Sequence, residues 1–327
     1  MTAAAEAAGF VALALAFDVV IGDPDRIWRR WPHPVALMGA AIALADRCLN
    51  REGTSRHVRK GAGIAVAASL VAGAAGVGWA VERIASAVPF GFVGSALVAS
   101  ILLAFRSLRD HVGAVERAFA TDGLPGARRA VAMIVGRDPE RLDEAGVCRA
   151  AIESAAENLS DGVIAPAFWL LLAGLPGLLA YKAINTADSM IGHMSTRHRD
   201  FGWASARLDD LLNLVPARLS GILIAAAAPA GGGKVRAALD TMWRDARLHR
   251  SPNAGWPESA MAGALGLALA GPRLYAAGPV HDPFLNPDGE TDARPADIGQ
   301  ALRVLDRAAL LHVAFYGAVA LVIWSAR

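Results

Sequence analysis

Long apolar runs separated by charged segments organise the whole chain. Four runs of 18 to 22 residues contain no Asp, Glu, Lys or Arg: Gly61–Ala80, Ile84–Phe105, Val163–Tyr181 and Ala308–Ser325. Each is long enough to cross about 30 Å of hydrocarbon as an α-helix. Two further runs are interrupted or shorter: Met1–Phe17, which contains Glu6, and Leu219–Gly233, which follows Arg218. The pattern predicts four membrane spans and nominates these two as additional ones.

The composition agrees with a membrane protein. Hydrophobic residues make up 54% of the 327 residues and the mean hydropathy is +0.37, which exceeds what soluble domains usually show. We predict an all-α, polytopic integral membrane protein of the cell membrane, folded as one domain over residues 1–327 and surrounded by lipid. The net charge of +2 gives no reason to expect a nucleic-acid partner. Cys48 and Cys148 lack the spacing of a metal site or disulfide framework.

Basic residues indicate the orientation, because cytoplasmic loops are enriched in them. The segment 81–91 contains one basic residue, Arg83, whereas the segment 106–161 contains eight. We therefore expect the loop near Pro89 outside and a charged, cytoplasmic helical segment at 106–161. Lys234–Arg250 has apolar residues at helical spacing between charges, which is typical of a helix in the membrane interface. Gly278–Pro295, rich in Pro, Asp and Gly, reads as a loop.

The run Val163–Tyr181 does not fit a simple zigzag of spans. Basic segments lie on both sides of the next apolar run, Leu219–Gly233. The run Val163–Tyr181 itself contains Pro166 and the sequence Gly174-Leu175-Pro176-Gly177. These residues favour a broken or re-entrant pair of half-helices, which membranes tolerate where protein covers the backbone. A plain crossing is the alternative.

Three polar clusters lie beside these apolar runs. They are Glu153, Glu157, Asn158 and Asp161; Lys182, Asn185, Asp188 and Ser189; and Arg207, Asp209, Asp210 and Asn213. Ionisable groups beside hydrocarbon are expensive, so each cluster is a functional-site hypothesis. In a helix Glu153, Glu157 and Asp161 share one face, Asn185 neighbours Asp188, and Asp209 neighbours Asn213. Carboxylates with amide oxygens suit Mg²⁺, which is usually completed by substrate phosphates, and lysine binds phosphate.

Each cluster also has an ordinary structural interpretation. The first could be a solvated helix face, Lys182 a snorkelling anchor, and the third a set of helix caps. The segment Ser251–Ser259, with Asn253, and the turn at His33 read as turns before helices. The sequence has no P-loop, dinucleotide fingerprint or nucleophile elbow.

Read in order, the motifs resemble a known family. They are Gly22-Asp23-Pro24, His33-Pro34-Val35 with Met38-Gly39, Gly136-Arg137-Asp138, Glu153–Pro166, Tyr181–Gly192, Phe201-Gly202 with Ser205–Arg218, and Ser251–Gly263. In this order they are similar to the adenosylcobinamide-phosphate synthases of cobalamin biosynthesis, CobD or CbiB, over nearly the whole chain. The ordered block Ser-Ala-Arg-Leu-Asp-Asp-Leu-Leu-Asn is the most specific. AmpE-like membrane signalling proteins share part of this scaffold.

The resemblance implies an ATP-dependent ligase that joins adenosylcobyric acid to aminopropanol or its phosphate, with ATP and Mg²⁺ as cofactors and the site facing the cytoplasm. It leaves open whether the chain forms a homo-oligomer. The implied catalytic residues are Glu153, Glu157, Asp188 and Asp209. The implied nucleotide- or phosphate-binding residues are Lys182, Arg207, Asn185, Ser189 and Asn253. Asn158, Asn213 and His33 would orient substrate, and Asp161, Asp188, Asp209 and Asp210 would hold metal.

Two other classes remain open. A magnesium-dependent intramembrane prenyl- or phosphotransferase would also place Asp and Asn pairs at a membrane face, and it requires an apolar tunnel but no ATP. A transporter or an AmpE-like signalling protein would use buried charge for coupling or binding. Transporters usually show internal repeats, and the sequence has no repeat of fixed period.

Overall fold

The computed structural model describes residues 3–22, 25–135, 139–275 and 278–326. The motif residues Asp23, Pro24 and Gly136–Asp138 lie outside these ranges. Thirteen α-helices are present in the described chain: α1 Ala3–Ile21, α2 Asp25–Trp28, α3 Pro34–Leu49, α4 Arg56–Ser86, α5 Gly91–Leu102, α6 Phe105–Val131, α7 Glu144–Leu159, α8 Ala165–Ile191, α9 Trp203–Leu212, α10 Leu214–Ala227, α11 Val235–Asp245, α12 Gly255–Leu265 and α13 Pro295–Ser325. A π-helical turn, Ser160–Ile164, joins α7 to α8, and two short 3₁₀ turns lie at Ala228–Gly231 and Ala246–Leu248. The prediction of an all-α protein is confirmed, with one small hairpin added.

Six helical stretches of the described chain are long and apolar enough to cross a membrane. They are Ala4–Ile21, Arg56–Ser86, Gly91–Val131, Glu144–Ile191, Leu214–Gly231 and Pro295–Ser325. Each contains or overlaps one of the six apolar runs predicted above, so the chain is a multi-pass membrane protein. The run Ile84–Phe105 was placed as one span, and this placement is wrong at its start. Helix α4 continues to Ser86, and a turn with Phe90 at φ 58° precedes α5.

The chain divides into two compact units. The first comprises Met1–Ala104, Ala165–Asn213 and Tyr316–Arg327, and the second comprises Phe105–Ile164 and Leu214–Phe315. The prediction of one domain over residues 1–327 stays a prediction. The segment 106–161 falls within the second unit, where it is helical as predicted, forming most of α6 and all of α7.

The first unit packs α4 against α8 and α9. Its core joins Ile42, Val66, Ala187, Ile191 and Phe201, and a second cluster lies along α4, α8 and α9 at Ala67, Ile184 and Ala204. A side chain at Gly63 would collide with the backbone of Phe201. The absence of a side chain at Gly63 therefore lets α4 lie close to the segment that precedes α9.

Helix α8 is broken as predicted. Ala173 (φ −139°, ψ 18°) and Gly174 (φ 63°, ψ −157°) leave the helical region, and Pro176 follows in the first turn of the resumed helix. The conformation of Gly174 is one that essentially only glycine adopts. Glu82 on α4 accepts a hydrogen bond from the backbone N–H of Leu175 (2.7 Å) and so satisfies the new helix start. The re-entrant path of this run stays a prediction.

The second unit packs α10, α11 and α12 around small residues, and Ala225, Ala228, Ala238 and Ala264 form a cluster in which the helices approach closely. Helix α11 confirms the predicted helix in Lys234–Arg250. Met242 on it is buried, whereas Trp243 is exposed and lies 5.1 Å from the Trp256 ring. The location of α11 in the membrane interface stays a prediction.

A two-stranded antiparallel hairpin follows α12. Strand β1, Leu269–Tyr275, pairs with β2, Gly278–Leu285, and the register is irregular between Ala270 and Pro272. The prediction of a loop over Gly278–Pro295 is therefore wrong for its first half. The pairing comes from β1 rather than from local propensity, since both strands contain glycine and proline, which strands usually avoid.

Candidate functional site

The first unit assembles two of the three predicted polar clusters at α8 and α9. Asp209 is buried, at 8% exposure. Asn185 Nδ2 donates to Asp209 Oδ1 (3.2 Å), and Asn213 Nδ2 donates to Asp209 Oδ2 (3.0 Å). Tyr181 Oη in turn donates to Asn213 Oδ1 (3.0 Å). We call Tyr181, Asn185, Asp188, Asp209 and Asn213 the aspartate cluster.

The electrostatics of the aspartate cluster are unfavourable to a second negative charge. Burial first, and then the charge of Asp188, raise the pKa of Asp209 to about 7, although both asparagine hydrogen bonds act in the opposite direction. Within the described residues Asp209 forms no ion pair. The carboxylate of Asp188 lies against Gly192, where a side chain would collide with Oδ1. The hydrogen-bond partners of Asp209 are neutral amides, so an added cation or proton would stabilise this buried carboxylate.

These residues fit a Mg²⁺ ion of the kind that shares its coordination with a substrate. Magnesium is commonly bound through one or two carboxylates plus phosphates and water, and Asp188 with Asp209 supply two. No group of three or more His, Cys, Asp or Glu side chains that could hold a metal is found among the described residues. The donor set thus matches a metal–phosphate complex and does not match an all-protein cage.

The other predicted residues of the first unit have structural partners. Lys182 is buried at 9% exposure on α8 beside the cluster, and Ser189 donates to the carbonyl of Asn185 (3.0 Å). Arg207 pairs with Asp210 at 3.5 Å, with the Arg207 side chain 68% exposed. Such exposed pairs contribute little stability. Burial raises the pKa of Asp210 and Arg207 opposes that shift.

His33 caps a helix. Its Nδ1 accepts a hydrogen bond from the backbone N–H of Val35 (3.2 Å) at the start of α3, and its ring lies 4.5 Å from that of Trp28. His33 therefore has the structural role that the sequence predicted for it, in the turn before α3. Its role in orienting substrate stays a prediction.

The first predicted cluster lies in the second unit, and its members occupy different environments. Glu153 is buried and accepts a hydrogen bond from the backbone N–H of Ala270 (2.8 Å), whereas Glu157 is exposed. Asn158 donates back to Ser154 of its own helix. Asp161 falls in the π-helical turn, whose i→i+5 bonding inserts a residue and ends the i, i+4 spacing. The expected single face of three acids therefore stops at Glu157.

A second polar group of the same unit was only partly predicted. Asn253 Oδ1 accepts a hydrogen bond from Arg218 Nη1 (3.1 Å), and the Arg218 guanidinium carbon lies 4.4 Å from the Trp256 ring centroid. We call Arg218, Arg247, Asn253 and Trp256 the arginine cluster. Asn253 was identified from its turn, whereas Arg218 was not, although a lone arginine at the edge of an apolar run was the available signal.

Comparison with known proteins identifies the family. Residues 11–305 match the model of the family described as "CobD/Cbib protein". The chain belongs to the CobD/Cbib family. The match covers all three predicted polar clusters and the arginine cluster, and the resemblance read from the ordered motifs is confirmed.

Curated relatives of this CobD/Cbib chain are similar over almost their full lengths. A protein of Brucella suis named "Cobalamin biosynthesis protein CobD" is 53% identical over 295 residues, 89% of this chain and 90% of the relative. Proteins of the same name from a Sinorhizobium species and from Rhodobacter capsulatus are 51% and 48% identical over 315 and 318 residues, and each comparison covers at least 95% of both chains. These names place the family in cobalamin biosynthesis. No solved structure matches the chain.

Proposed function

We propose that this CobD/Cbib protein is a magnesium-dependent ligase that uses ATP to join the propionate carboxyl of adenosylcobyric acid to aminopropanol or aminopropanol phosphate. The observation that supports the proposal most directly is the aspartate cluster. It holds a buried carboxylate, Asp209, oriented by two amides and placed beside a second carboxylate, Asp188. This is the donor set expected where Mg²⁺ meets nucleotide phosphates.

The chemistry requires activation, since a carboxylate is a poor electrophile. In the proposed reaction a carboxylate oxygen of the corrinoid takes the γ-phosphoryl group of ATP, and ADP leaves. The amine nitrogen then attacks the activated carbonyl carbon, the C–O bond to phosphate breaks, and the amine releases a proton. The products are the amide, ADP and inorganic phosphate.

The protein's contribution is to position and neutralise charge. When bound, Mg²⁺ would shield the β- and γ-phosphate oxygens and polarise the transferring group. Asp188 and Asp209 would hold it, and Asn185 and Asn213 would keep the Asp209 carboxylate in one orientation. Lys182, on the same helix as Asp188, is the cation we assign to a phosphate. A preorganised site of this kind stabilises developing charge without reorganising during the reaction.

A reconstitution assay tests this function. The purified chain in detergent is incubated with adenosylcobyric acid, aminopropanol phosphate, ATP and Mg²⁺, and the corrinoid product is identified by mass spectrometry while ADP is measured. We expect an amide product and ADP in equal amounts, and neither when the corrinoid acid is omitted. The same assay with aminopropanol identifies the preferred amine. ADP release that does not depend on the corrinoid acid, with no amide formed, would exclude the ligase.

One observation favours a second function, a prenyl- or phosphotransferase. The first unit contains an apolar cavity of about 700 Å³ lined by residues that include Phe10, Leu13, Phe92 and Leu170, as a lipid-tail site requires. The cavity ends on α8 at Gly174, however, and Asp188 lies fourteen residues further along that helix, roughly 20 Å away. A diphosphate bound at Asp188 would not reach the cavity without a long tail. ATP-independent turnover of a prenyl diphosphate would favour this second function.

A further inference from the structure

Arg218 is an arginine fixed in place at the start of an apolar helix. It lies in the first turns of α10, within the membrane-spanning stretch Leu214–Gly231. Its Nη1 donates to the carbonyl of Leu214 (2.8 Å) and to Asn253 Oδ1 (3.1 Å), while its guanidinium carbon lies over the Trp256 ring, 4.4 Å from the centroid. A charge beside hydrocarbon is costly, so three restraints on one side chain indicate that its position matters.

No counter-charge compensates this arginine within the described part of the chain. Arg218 forms no ion pair there, and the charged group that acts on it is another arginine, Arg247. Arg247 is exposed and has no ion pair among the described residues. The acid of the same segment, Glu258, faces His249 at 3.7 Å. The charge of Arg247 therefore repels that of Arg218, and an anion bound between them would relieve this repulsion.

The donors of Arg218 remain available to such an anion. Both hydrogen bonds of Arg218 to described residues come from Nη1, so Nε and Nη2 keep their donors. The contact with Trp256 and the bond to Asn253 hold the guanidinium in place. An arginine oriented in this way binds a phosphate through two parallel hydrogen bonds, which a lysine cannot do.

We propose that Arg218, oriented by Asn253 and Trp256 and assisted by Arg247, binds a phosphate group of a substrate of this enzyme. The choice of ligand rests on the proposed function, whose substrates offer two sources, the phosphates of ATP and the phosphate of aminopropanol phosphate. Arg218 is the binding residue, and Asn253 and Trp256 are positioning residues.

Direct binding to the purified full chain in detergent tests the proposal. Dissociation constants are measured by equilibrium dialysis for labelled ATP and for labelled aminopropanol phosphate. Arg218→Met, which retains an apolar stem against Trp256, should weaken binding of at least one ligand by about 10-fold to 100-fold, the loss expected for a charge-assisted hydrogen-bond pair. Arg218→Lys should be intermediate. The matched control is Arg236→Met on α11, an exposed arginine that pairs with Asp240 at 3.5 Å, and it should bind as wild type.

A second variant separates binding from folding. Asn253→Asp keeps the shape and the hydrogen bond to Arg218 but adds a neighbouring carboxylate. It should raise the Tm, because Arg218 gains an ion pair, and it should weaken the same phosphate ligand. A purely structural Arg218 would give the higher Tm with unchanged binding, which would overturn the proposal. Native affinity of folded Arg218→Met for both ligands would overturn it as well.

The two binding measurements, with ATP and with aminopropanol phosphate, also identify the ligand. Loss of ATP binding alone assigns Arg218 to the nucleotide, and loss of aminopropanol phosphate binding alone assigns it to the amine substrate. Failure of the proposed function gives a different pattern. A wild-type chain that makes no amide but binds a phosphate ligand through Arg218 retains this inference and loses the ligase. A wild-type ligase whose Arg218→Met variant keeps every KM retains the ligase and loses this inference.

Discussion

Asn185 on α8 donates a hydrogen bond to Asp209 on α9, with 3.2 Å between Nδ2 and Oδ1. The two residues are 24 positions apart in the sequence, and this bond joins two motifs that were recognised separately. Asn213 bonds the second oxygen of the same carboxylate. Asp209 is thus held at both oxygens by neutral amides that orient the group without cancelling its charge, which is the arrangement a cation site needs.

The first prediction concerns the charge of Asp209. Asp209→Asn keeps the volume and one acceptor but removes the carboxylate, so amide formation should fall by at least about 100-fold if Asp209 holds the metal. Steady-state turnover in the corrinoid assay measures this. Asp240→Asn is the matched control, since Asp240 is an exposed aspartate on α11 that pairs with Arg236 at 3.5 Å, and the activity of this variant should stay within a few-fold of wild type. Native turnover of Asp209→Asn would remove the carboxylate from the mechanism.

The second prediction concerns pH. The pKa of Asp209 is raised to about 7 from an ordinary 3.8, so the folded state binds a proton that the unfolded state has lost, and Asp209 destabilises the fold as pH rises between these values. Asn at this position does not titrate. Without Mg²⁺, the Tm of Asp209→Asn minus that of wild type should increase from pH 5 to pH 8 and then level off.

Metal should reverse that effect. Mg²⁺ with a non-hydrolysable ATP analogue should raise the Tm of wild type at pH 8 by more than that of Asp209→Asn, since a ligand that binds only the folded state stabilises it. Fluorescence-monitored melting in detergent measures both series. If the Tm of Asp209→Asn minus that of wild type, measured without Mg²⁺, were the same at pH 5 and pH 8, this would contradict the burial of a charged Asp209.

The third prediction tests the hydrogen bond from Tyr181. Tyr181→Phe leaves the buried Oδ1 of Asn213 without this donor, which should cost about 1–3 kcal/mol of unfolding free energy. The cost should largely disappear in an Asn213→Ala background, because the partner is then absent. Unfolding of the four proteins of this double-mutant cycle measures the coupling, and equal costs in both backgrounds would show that the two residues do not interact.

The fourth prediction tests the break in α8. Gly174→Ala should lower the Tm, because φ 63° with ψ −157° is open essentially to glycine alone and a side chain there would meet Glu82. Gly73→Ala is the control. Gly73 lies in α4 with open space where a side chain would be added, and alanine there should be neutral or stabilising. Similar Tm values for the two variants would argue for an unbroken helix.

The fifth prediction concerns sidedness. ATP is cytosolic, so the proposed function requires the segments around Met194 and Leu248 to face the cytoplasm. The scarcity of basic residues near Val88 predicts that this turn faces outward. All three side chains are exposed. Single cysteines at these positions are introduced into a background lacking Cys48 and Cys148 and treated with a membrane-impermeant thiol reagent. The cysteine at position 88 should react from the side of the membrane opposite to the other two. We expect Val88→Cys to react in intact cells, and the other two to react only in inverted vesicles. Labelling of position 194 from outside would contradict a cytoplasmic site.

The sequence predicted what depends on local pattern. The six apolar runs, the break at Gly174 and the pairing of Asp209 with Asn213 follow from hydrophobicity, glycine and helical spacing. What it missed depends on contacts between distant residues. The hairpin at Leu269–Leu285 exists because its two strands pair with each other, and the π-helical turn at Ser160–Ile164 leaves no mark in the spacing of acids before it. Arg218 gained significance only when Asn253 and Trp256, 35 or more residues away, were found against it.

The direction of the helix that resumes after Gly174 has an electrostatic consequence for Asp188. Peptide dipoles add along an uninterrupted helix, so the resumed segment from Leu175 to Ile191 has a positive end at Leu175 and a negative end in its last turn. The carboxylate of Glu82 compensates the positive end through its bond to Leu175. The negative end coincides with the turn that carries Asp188, where a cation gains roughly 0.3–1 kcal/mol from such a helix end. This gain belongs to the last turn of α8, so a metal ion at Asp188 would have it whether or not the helix is interrupted at Gly174.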